Sequence, residues 1–278
     1  MYYAGVDIGS TMTKVVVMAD DVVSSVIGPT GAEHRRLANK VIEDALGKAD
    51  ISFDDVSYVV ATGYGRINVP FADKQITEIT CHARGVYSLF PSVRTIIDIG
   101  GQDAKGIKIA GGKVVNFVMN DKCAAGTGRF IEVIAETLGL SLEDMGQLSL
   151  KAGSCAKISS TCTVFAEQEV VSRIAEGVAI EEVVAGIHDA IAVRIYRMVE
   201  RVKVERDVVV TGGVAKNIGM IKALEDKLGF PVLVPQEPLL TGARGAALLG
   251  KELVEKAIQS GQPIQRASRH LEEATFFE

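Results

Sequence analysis

The sequence has 278 residues, of which 47% are hydrophobic and 23% charged, enough for one sizeable core or two adjacent modest ones. We expect two compact lobes. The formal net charge of -5, the absence of tryptophan and the lack of a basic block argue against nucleic acid or an anionic membrane as a partner.

The chain begins in a strand pattern rather than in a targeting segment. MYYAGVDIGS contains no basic stretch followed by a short apolar run, so we expect no secretory signal. No apolar run is long enough to span a bilayer. We therefore predict a cytoplasmic protein whose partners are small molecules and other proteins.

The first strand pattern returns near the middle of the chain. GVDIGSTMTKVVVM predicts a strand, a tight turn and a second strand, and RTIIDIGGQDAKGIKI repeats that design. In both, an Asp-Ile-Gly triplet ends the first strand, and a lysine follows the aspartate after seven positions (Asp7 to Lys14, Asp98 to Lys105). Small turn residues let backbone amides approach an anion. The pattern indicates a duplicated chain with two phosphate-binding turns; two ordinary hairpins are the simpler alternative.

The rest of the chain alternates between strand and helix patterns, which predicts α/β layers. RDVVVTGGVAKNIGMIKAL is a strand that ends at Thr211-Gly212-Gly213 and leads into a helix with Lys216 and Asn217, as suits phosphate or adenosine. Neither a GxxxxGK[ST] loop nor a GxGxxG motif opening a βαβ unit occurs. The other predicted elements are a strand and turn in VSYVVATGYGR, helices near 129–138, 165–175 and 180–202, a strand in FPVLVP, and a helix in GARGAALLGKELVEKA.

The chain contains four cysteines, one before the second repeat and three after it. They form no CxxC pair, and in a reducing compartment they favour free thiols or metal ligands over disulfides. Spacing alone does not define a metal site. The four are Cys81, Cys123, Cys155 and Cys162.

Together these motifs resemble those of the acetate and sugar kinase, heat-shock chaperone and actin superfamily. The segments that carry the resemblance are DIGST (7–11) with Lys14, DIGGQD (98–103) and TGGV (211–214), which look like two phosphate motifs and an adenosine motif. Two more, DKCAAGTGRF (121–130) and TCTVFAE (161–167), make nearly the whole chain similar to the activator ATPases of 2-hydroxyacyl-CoA dehydratases and benzoyl-CoA reductases.

This resemblance implies an α/β protein with a duplicated actin-like (ribonuclease H-like) fold, two lobes around a nucleotide cleft. We predict a first lobe over residues 1–91, with a helix at about 262–278 packing back on it. The second lobe, 92–261, carries the cysteine motifs.

The function that the resemblance implies is ATP-dependent reductive activation. Such proteins are oxygen-sensitive homodimers that share one [4Fe-4S] cluster, take an electron from ferredoxin or flavodoxin, and deliver it to an iron–sulfur partner enzyme at the expense of ATP. The implied ligands are Cys123 and Cys162, and four thiolates per cluster then require a second copy of the chain. Cys81 and Cys155 lie outside the motifs and are assigned no ligand role.

The resemblance also implies contacts to Mg²⁺ and to ATP or ADP. Asp7 and Asp98 are the candidates for positioning magnesium through water, and Gln102, Asp103 or Glu167 for orienting the attacking water. For Asp103, a turn-capping or solvated carboxylate is the plainer alternative. The expected phosphate contacts are Gly9, Ser10, Thr11, Thr13, Lys14, Gly100, Gly101 and Gln102, and the expected adenosine contacts are Gly212, Gly213, Val214, Lys216, Asn217 and Gln236.

Two other functions are compatible with the same fold. A small-molecule kinase needs a general base, for which Asp98 or Asp103 is available, and a substrate pocket that usually comes from inserted segments. A filament-forming or regulatory ATPase would leave the cysteine motifs without a purpose. The segments 62–66 and 34–36 are interpreted as a surface turn and a solvated face.

Overall fold

The computed structural model describes residues 1–31, 33–158, 162–264 and 266, and it divides into two compact units. The first contains Met1–Pro91, the hairpin tip Gly111–Val114 and the described chain from Leu239 onward. The second contains Ser92–Ala110 and Val115–Pro238.

The described residues form nine strands and eight α-helices. The strands are β1 (Tyr2–Ile8), β2 (Met12–Met18), β3 (Val22–Pro29), β4 (Val56–Thr62), β5 (Lys74–Gln75), β6 (Thr95–Ile99), β7 (Ala104–Ala110), β8 (Lys113–Asn120) and β9 (Val208–Thr211). The helices are α1 (His34–Ala49), α2 (Glu78–Leu89), α3 (Gly128–Leu138), α4 (Leu142–Lys151), α5 (Thr163–Ala175), α6 (Ile180–Val199), α7 (Ile218–Leu228) and α8 (Thr241–Ser260).

The first unit has a five-stranded sheet in the order β3-β2-β1-β4-β5. Strand β1 pairs antiparallel with β2 and parallel with β4. Both faces of the sheet are covered, so β2 is apolar along most of its length rather than alternating. Val15 and Val17 lie in one core cluster with Ile42 of α1, whereas Val16 lies in another cluster with Ala247 of α8.

The second unit repeats this arrangement in the order β8-β7-β6-β9. Strand β6 again pairs antiparallel with the next strand, β7, and parallel with a later one, β9. The strand predicted in FPVLVP is reduced to a single parallel bridge between Val209 and Leu233. The repeat in the sequence is therefore a repeat of sheet topology, and the alternative of two unrelated hairpins is wrong.

Helix α8 differs from its predicted place. The sequence boundary put residues up to 261 in the second lobe, but α8 packs on α2, β1 and β4 of the first unit. Glycines allow this close approach: a Cβ on Gly5 would lie 2.6 Å from the Ala247 amide nitrogen, and a Cβ on Gly245 would overlap the Cys81 carbonyl. Backbone therefore packs against backbone where α8 crosses β1 and α2.

The helix predicted at about 262–278 lies almost entirely outside the described residues. Helix α6 ends at Val199 and continues as a 3-10 turn, Glu200–Val202, close to the predicted end. Within the described ranges, no helix combines the length and the apolar character needed to cross a membrane.

The glycine contacts of α8 predict unequal effects of one added methyl group. Gly245→Ala should lower the free energy of unfolding by about 3 kcal/mol or more, because the methyl has to displace the backbone of α2. Gly47→Ala, on α1, meets nothing within 4 Å and should raise it by about 1 kcal/mol. Urea unfolding of both variants checks this, and a neutral Gly245→Ala would contradict the packing described.

Candidate functional site

The first candidate turn follows β1. Asp7, near the end of that strand, is only 3% exposed, and its Oδ2 lies 2.8 Å from Nζ of Lys14. The two residues are direct partners in the antiparallel ladder of β1 and β2. Beyond them, the Gly9 amide donates to the Met12 carbonyl at 3.1 Å and closes the turn Gly9–Thr11, here termed the first glycine turn.

The second candidate turn follows β6 with the same construction. Asp98 is 4% exposed, and its ladder partner Lys105 places Nζ 3.6 Å from Asp98 Oδ2. The Gly100 amide donates to the Asp103 carbonyl at 2.9 Å, which closes the turn Gly100–Gln102, the second glycine turn. Lys105 also forms an ion pair with Asp103. Each buried aspartate thus has a lysine counter-charge at the base of a glycine turn.

A Thr-Gly pair on the neighbouring parallel strand completes each site. In the registers of the two sheets, Asp7 is opposite Thr62 and Asp98 is opposite Thr211. The Thr211 hydroxyl donates to Asp98 Oδ1 at 2.9 Å. Thr62 was predicted to belong to a surface turn without a role, although the matching sequences VVATG (59–63) and VVVTG (208–212) indicate a second repeated feature.

The glycine of each Thr-Gly pair has a conformation and position that exclude a side chain. Gly63 has φ +81° and Gly212 has φ +83°, in the left-handed region that favours glycine. A Cβ on Gly63 would lie 2.5 Å from Asp7 Oδ1, and one on Gly212 would lie 3.0 Å from Asp98 Oδ1. Each carboxylate is therefore enclosed between a lysine and a bare stretch of backbone.

The predicted phosphate contacts are not all brought to the turns. Ser10 and Gln102 are exposed at the tips, as expected for groups that meet a ligand. Thr13 is fully buried and its hydroxyl pairs with that of Thr30 at 2.9 Å, so its role is structural. Asp103 is 8% exposed and paired with Lys105, so the alternative of a solvated carboxylate is wrong.

The predicted adenosine segment follows β9. Gly213–Lys216 forms a 3-10 turn, and α7 begins only after Asn217, whose Oδ1 accepts from the Met220 amide at 2.9 Å. The prediction that Lys216 and Asn217 lie on the helix is therefore wrong, because both residues precede α7. Lys216 Nζ lies 3.0 Å from Glu237 Oε2, and the neighbouring Gln236 is exposed. Val214 is 7% exposed and belongs to the core.

His188 of α6, which was not among the predicted site residues, supports this segment. The His188 side chain is fully buried, and the side-chain nitrogen Nδ2 of Asn217 lies 3.3 Å from its Nε2. Its Nδ1 has no hydrogen-bond partner among the described residues. Burial lowers the pKa of His188 to about 4. The imidazole is therefore neutral at physiological pH and accepts from the residue that caps α7.

The four cysteines have different surroundings. Cys123 is partly buried, and Cys162 is exposed and is the N-cap residue of α5. Cys81 is fully buried, which raises the pKa of its thiol to about 12. Cys155 is exposed, but partial desolvation and the nearby Asp189 raise its pKa. Burial therefore disfavours the thiolate form at both cysteines outside the motifs.

Glu167 does not lie at the second glycine turn. Its Oε1 is 3.3 Å from the hydroxyl of Thr137, near the end of α3. The beginning of α3 is the part bonded to that turn, because the Gly128 amide donates to the Gly100 carbonyl at 2.8 Å. Thr137 follows Gly128 by nine residues, or about 13 Å of helix. The structure therefore does not bring Glu167 to this turn, and its role in orienting the attacking water stays a prediction.

Comparison with known proteins identifies the family. Residues 4–250 match the model of the BadF/BadG/BcrA/BcrD ATPase family. The chain belongs to this family. It is 47% identical over 256 residues to the 2-hydroxyisocaproyl-CoA dehydratase activator of Clostridioides difficile, covering 89% of this chain and 94% of that protein. It is 46% identical over 259 residues to the activator of lactoyl-CoA dehydratase of Anaerotignum propionicum, covering 92% of this chain and all of the other.

A solved structure of this BadF/BadG/BcrA/BcrD ATPase family shares the fold. It is the activator of the 2-hydroxyisocaproyl-CoA dehydratase from Clostridium difficile with bound ADPNP. The TM-score is 0.88 at 45% identity, over 95% of this chain and 99% of that one. The predicted family and the duplicated actin-like fold class are both confirmed.

The buried imidazole predicts a pH dependence of stability. Above its ordinary pKa of 6.5, His188 is neutral in the folded and unfolded chain; below it, the unfolded chain binds a proton that the folded chain binds only near pH 4. Between pH 7.5 and 5 the wild type should lose about 2 kcal/mol through this group. His188→Gln lacks this titrating group, so its loss of unfolding free energy over the same interval should be smaller by about 2 kcal/mol. Urea unfolding at both pH values tests this, and parallel losses in the two proteins would refute it.

Proposed function

We propose that this chain is an ATP-dependent reductive activator. In this proposal, two copies share one [4Fe-4S] cluster through Cys123 and Cys162, take an electron from ferredoxin or flavodoxin, and pass it to an iron–sulfur partner enzyme. The observation that carries the proposal is the presence, in one chain, of two matched Asp-Lys glycine turns and of two cysteines in family-typical motifs, neither of them fully buried.

The glycine turns suit the phosphates of a nucleotide and its magnesium ion. Asp7 and Asp98 are buried carboxylates, each with a lysine Nζ within 3.6 Å, and carboxylates are the groups that commonly order magnesium-bound water. Gly9 and Gly100 expose backbone where an anion can approach closely. Gly212, Gly213, Lys216, Asn217 and Gln236 are the proposed contacts on the adenosine side. Binding of ATP is further supported by the ADPNP in the solved relative.

The cysteines fit a cluster only if a second chain contributes. Among the described residues, no group of three or more His, Cys, Asp or Glu side chains is placed to hold a metal ion. A cubane cluster takes four thiolates, and the two family motifs provide two per chain. Cys162 precedes the first turn of α5, which has no side-chain cap, so unpaired amides there favour anionic sulfur. When bound, the cluster supplies one-electron transfer at low potential.

Exposed apolar side chains beside Cys162 support the second copy. On α5, Val164 is 60%, Phe165 66% and Val171 55% exposed. Soluble proteins seldom leave such a cluster uncovered unless it meets a partner. A two-fold interface on this face of α5 would bring Cys162 of both chains to one axis.

The identity of the partner enzyme is left open by the relatives. The two activators reported above are named for different dehydratases and are 47% and 46% identical to this chain. We therefore propose the class of partner only: an oxygen-sensitive iron–sulfur dehydratase or reductase acting on an acyl-CoA or a related substrate.

Replacing either proposed ligand should remove the cluster and leave nucleotide binding intact. Cys123→Ser and Cys162→Ser, purified without oxygen, should lack iron, labile sulfide and the brown colour, because serine is a poor ligand for iron in such clusters. Cys155→Ser, also at an exposed position, is the matched control and should retain four irons per dimer. Iron and sulfide analysis, with ADP binding measured in parallel, checks both parts.

Wild-type protein that contains no iron or sulfide after anaerobic purification and reconstitution would refute the proposal. The products of ATP hydrolysis separate it from a kinase of the same superfamily. Release of ADP with free phosphate agrees with an activator, whereas a phosphorylated small molecule formed in step with ADP would establish the kinase.

A charge on the exposed face of α5 should separate the copies. Phe165→Glu should shift the protein from dimer to monomer in light scattering and abolish cluster retention, because a carboxylate would be buried without a partner. Ile258→Glu, at a position 55% exposed on α8 of the first unit, should remain dimeric. Retention of the dimer by Phe165→Glu would place the interface elsewhere.

A further inference from the structure

The segment that carries Cys123 is held together by its own hydrogen bonds. The Asn120 side-chain nitrogen donates to the Cys123 carbonyl at 2.9 Å and to the Ala125 carbonyl at 3.1 Å. The Thr127 hydroxyl donates to the carbonyl between them, that of Ala124, at 2.7 Å, and the Thr127 amide donates to the same oxygen at 3.0 Å. The carbonyls of three consecutive residues are thus fixed by two side chains.

This cysteine segment, Asn120–Thr127, is joined directly to the second glycine turn. The amides of Gly128 and Arg129, which begin α3, donate to the carbonyls of Gly100 at 2.8 Å and Gly101 at 2.7 Å. These amides belong to the first turn of a helix and have no partner within it. The turn proposed to contact phosphate therefore caps the helix that follows the cysteine segment.

The start of α3 packs so closely against the second glycine turn that the two leave no room to move separately. A Cβ on Gly128 would lie 3.1 Å from the Gly100 carbonyl oxygen and 3.3 Å from the Gly101 Cα. Thr127 is fully buried, so its hydroxyl bond is protected from competing water. A shift of the Gly100–Gly101 backbone must move the start of α3 with it, because interiors packed this closely transmit displacements.

We propose that Asn120 and Thr127 are positioning residues that make the cysteine segment move as one piece with the second glycine turn. The nucleotide bound at that turn then sets the exposure and orientation of the Cys123 thiol. Without the two side chains, the segment would keep its covalent connection to α3 but lose its internal rigidity. This inference rests on the proposed function, in which Gly100 and Gly101 contact phosphate and Cys123 is a ligand.

The chemistry of the two side chains gives specific substitutions. Asn120→Asp keeps the shape of the side chain but turns a carboxylate toward two carbonyl oxygens, which it can only repel. Its control is Asn116→Asp on the same strand, where the side-chain oxygen accepts from the Phe117 amide and the added charge is exposed. Thr127→Val removes the hydroxyl at constant volume, and Thr127→Ser restores it.

The measurement is the alkylation rate of Cys123 in the iron-free, full-length protein, free of oxygen. Rates with iodoacetamide are followed by peptide mass spectrometry without nucleotide, with ADP and with a non-hydrolysable ATP analogue, each at saturation. The exposed Cys155 in the same samples is the internal reference. In the wild type, we expect the rate at Cys123 to differ between the nucleotide states and the rate at Cys155 to stay constant.

Asn120→Asp and Thr127→Val should lose this nucleotide dependence, whereas Asn116→Asp and Thr127→Ser should retain it. Nucleotide dependence that survives in the first two variants would overturn the inference, as would its absence in the wild type with nucleotide bound. If Thr127→Val does not fold, loss of the dependence in Asn120→Asp still decides. The proposed function is tested separately, because it is refuted by wild-type protein that contains no iron or sulfide.

Discussion

The buried Asp-Lys pair at the end of each central hairpin is the interaction on which the rest of this molecule depends. Burying a carboxylate to 3–4% exposure costs free energy unless a counter-charge lies beside it, and the antiparallel ladder supplies a lysine directly opposite. The parallel neighbour must then approach without a side chain, which glycine at positive φ permits. Both halves of the chain meet these conditions in the same way, so two matched glycine turns result from one local design.

Much of the fold could be predicted because its signals are local. The two hairpins were visible from an Asp-Ile-Gly triplet and a lysine at fixed spacing, and α3 and α5 were found within two residues of their ends. The place of α8 was not predictable in this way. Which sheet a helix covers depends on contacts between distant residues, here Gly245 against the backbone at Cys81. The strand expected in FPVLVP failed for a similar reason, since only Leu233 finds a partner strand.

The candidate site was predictable in its motifs but less so in its individual side chains. Thr13 is one residue from Lys14, and strand alternation turns it toward Thr30 instead of the turn. Glu167 follows Cys162 closely in sequence, yet it contacts the far end of α3. Asn120 and His188 act through backbone groups and a helix cap, which leave no spacing pattern. The family resemblance pointed to the two cysteine motifs, and the structure adds the hydrogen bonds that Asn120 and Thr127 make within the segment of Cys123.

The first unit is discontinuous in sequence, and this has a consequence for synthesis on the ribosome. Apart from the hairpin tip Gly111–Val114, the chain leaves that unit at Pro91 and returns at Leu239, whereas the second unit is complete by Pro238. Until α8 has been translated, the sheet face formed by Tyr3, Val16 and Tyr58 lacks the long helix that packs on it. Nascent domains usually mature from the N-terminus onward, and here that order is inverted. A chain terminated early would display a bare apolar sheet, which is the kind of surface that chaperones and proteases recognise.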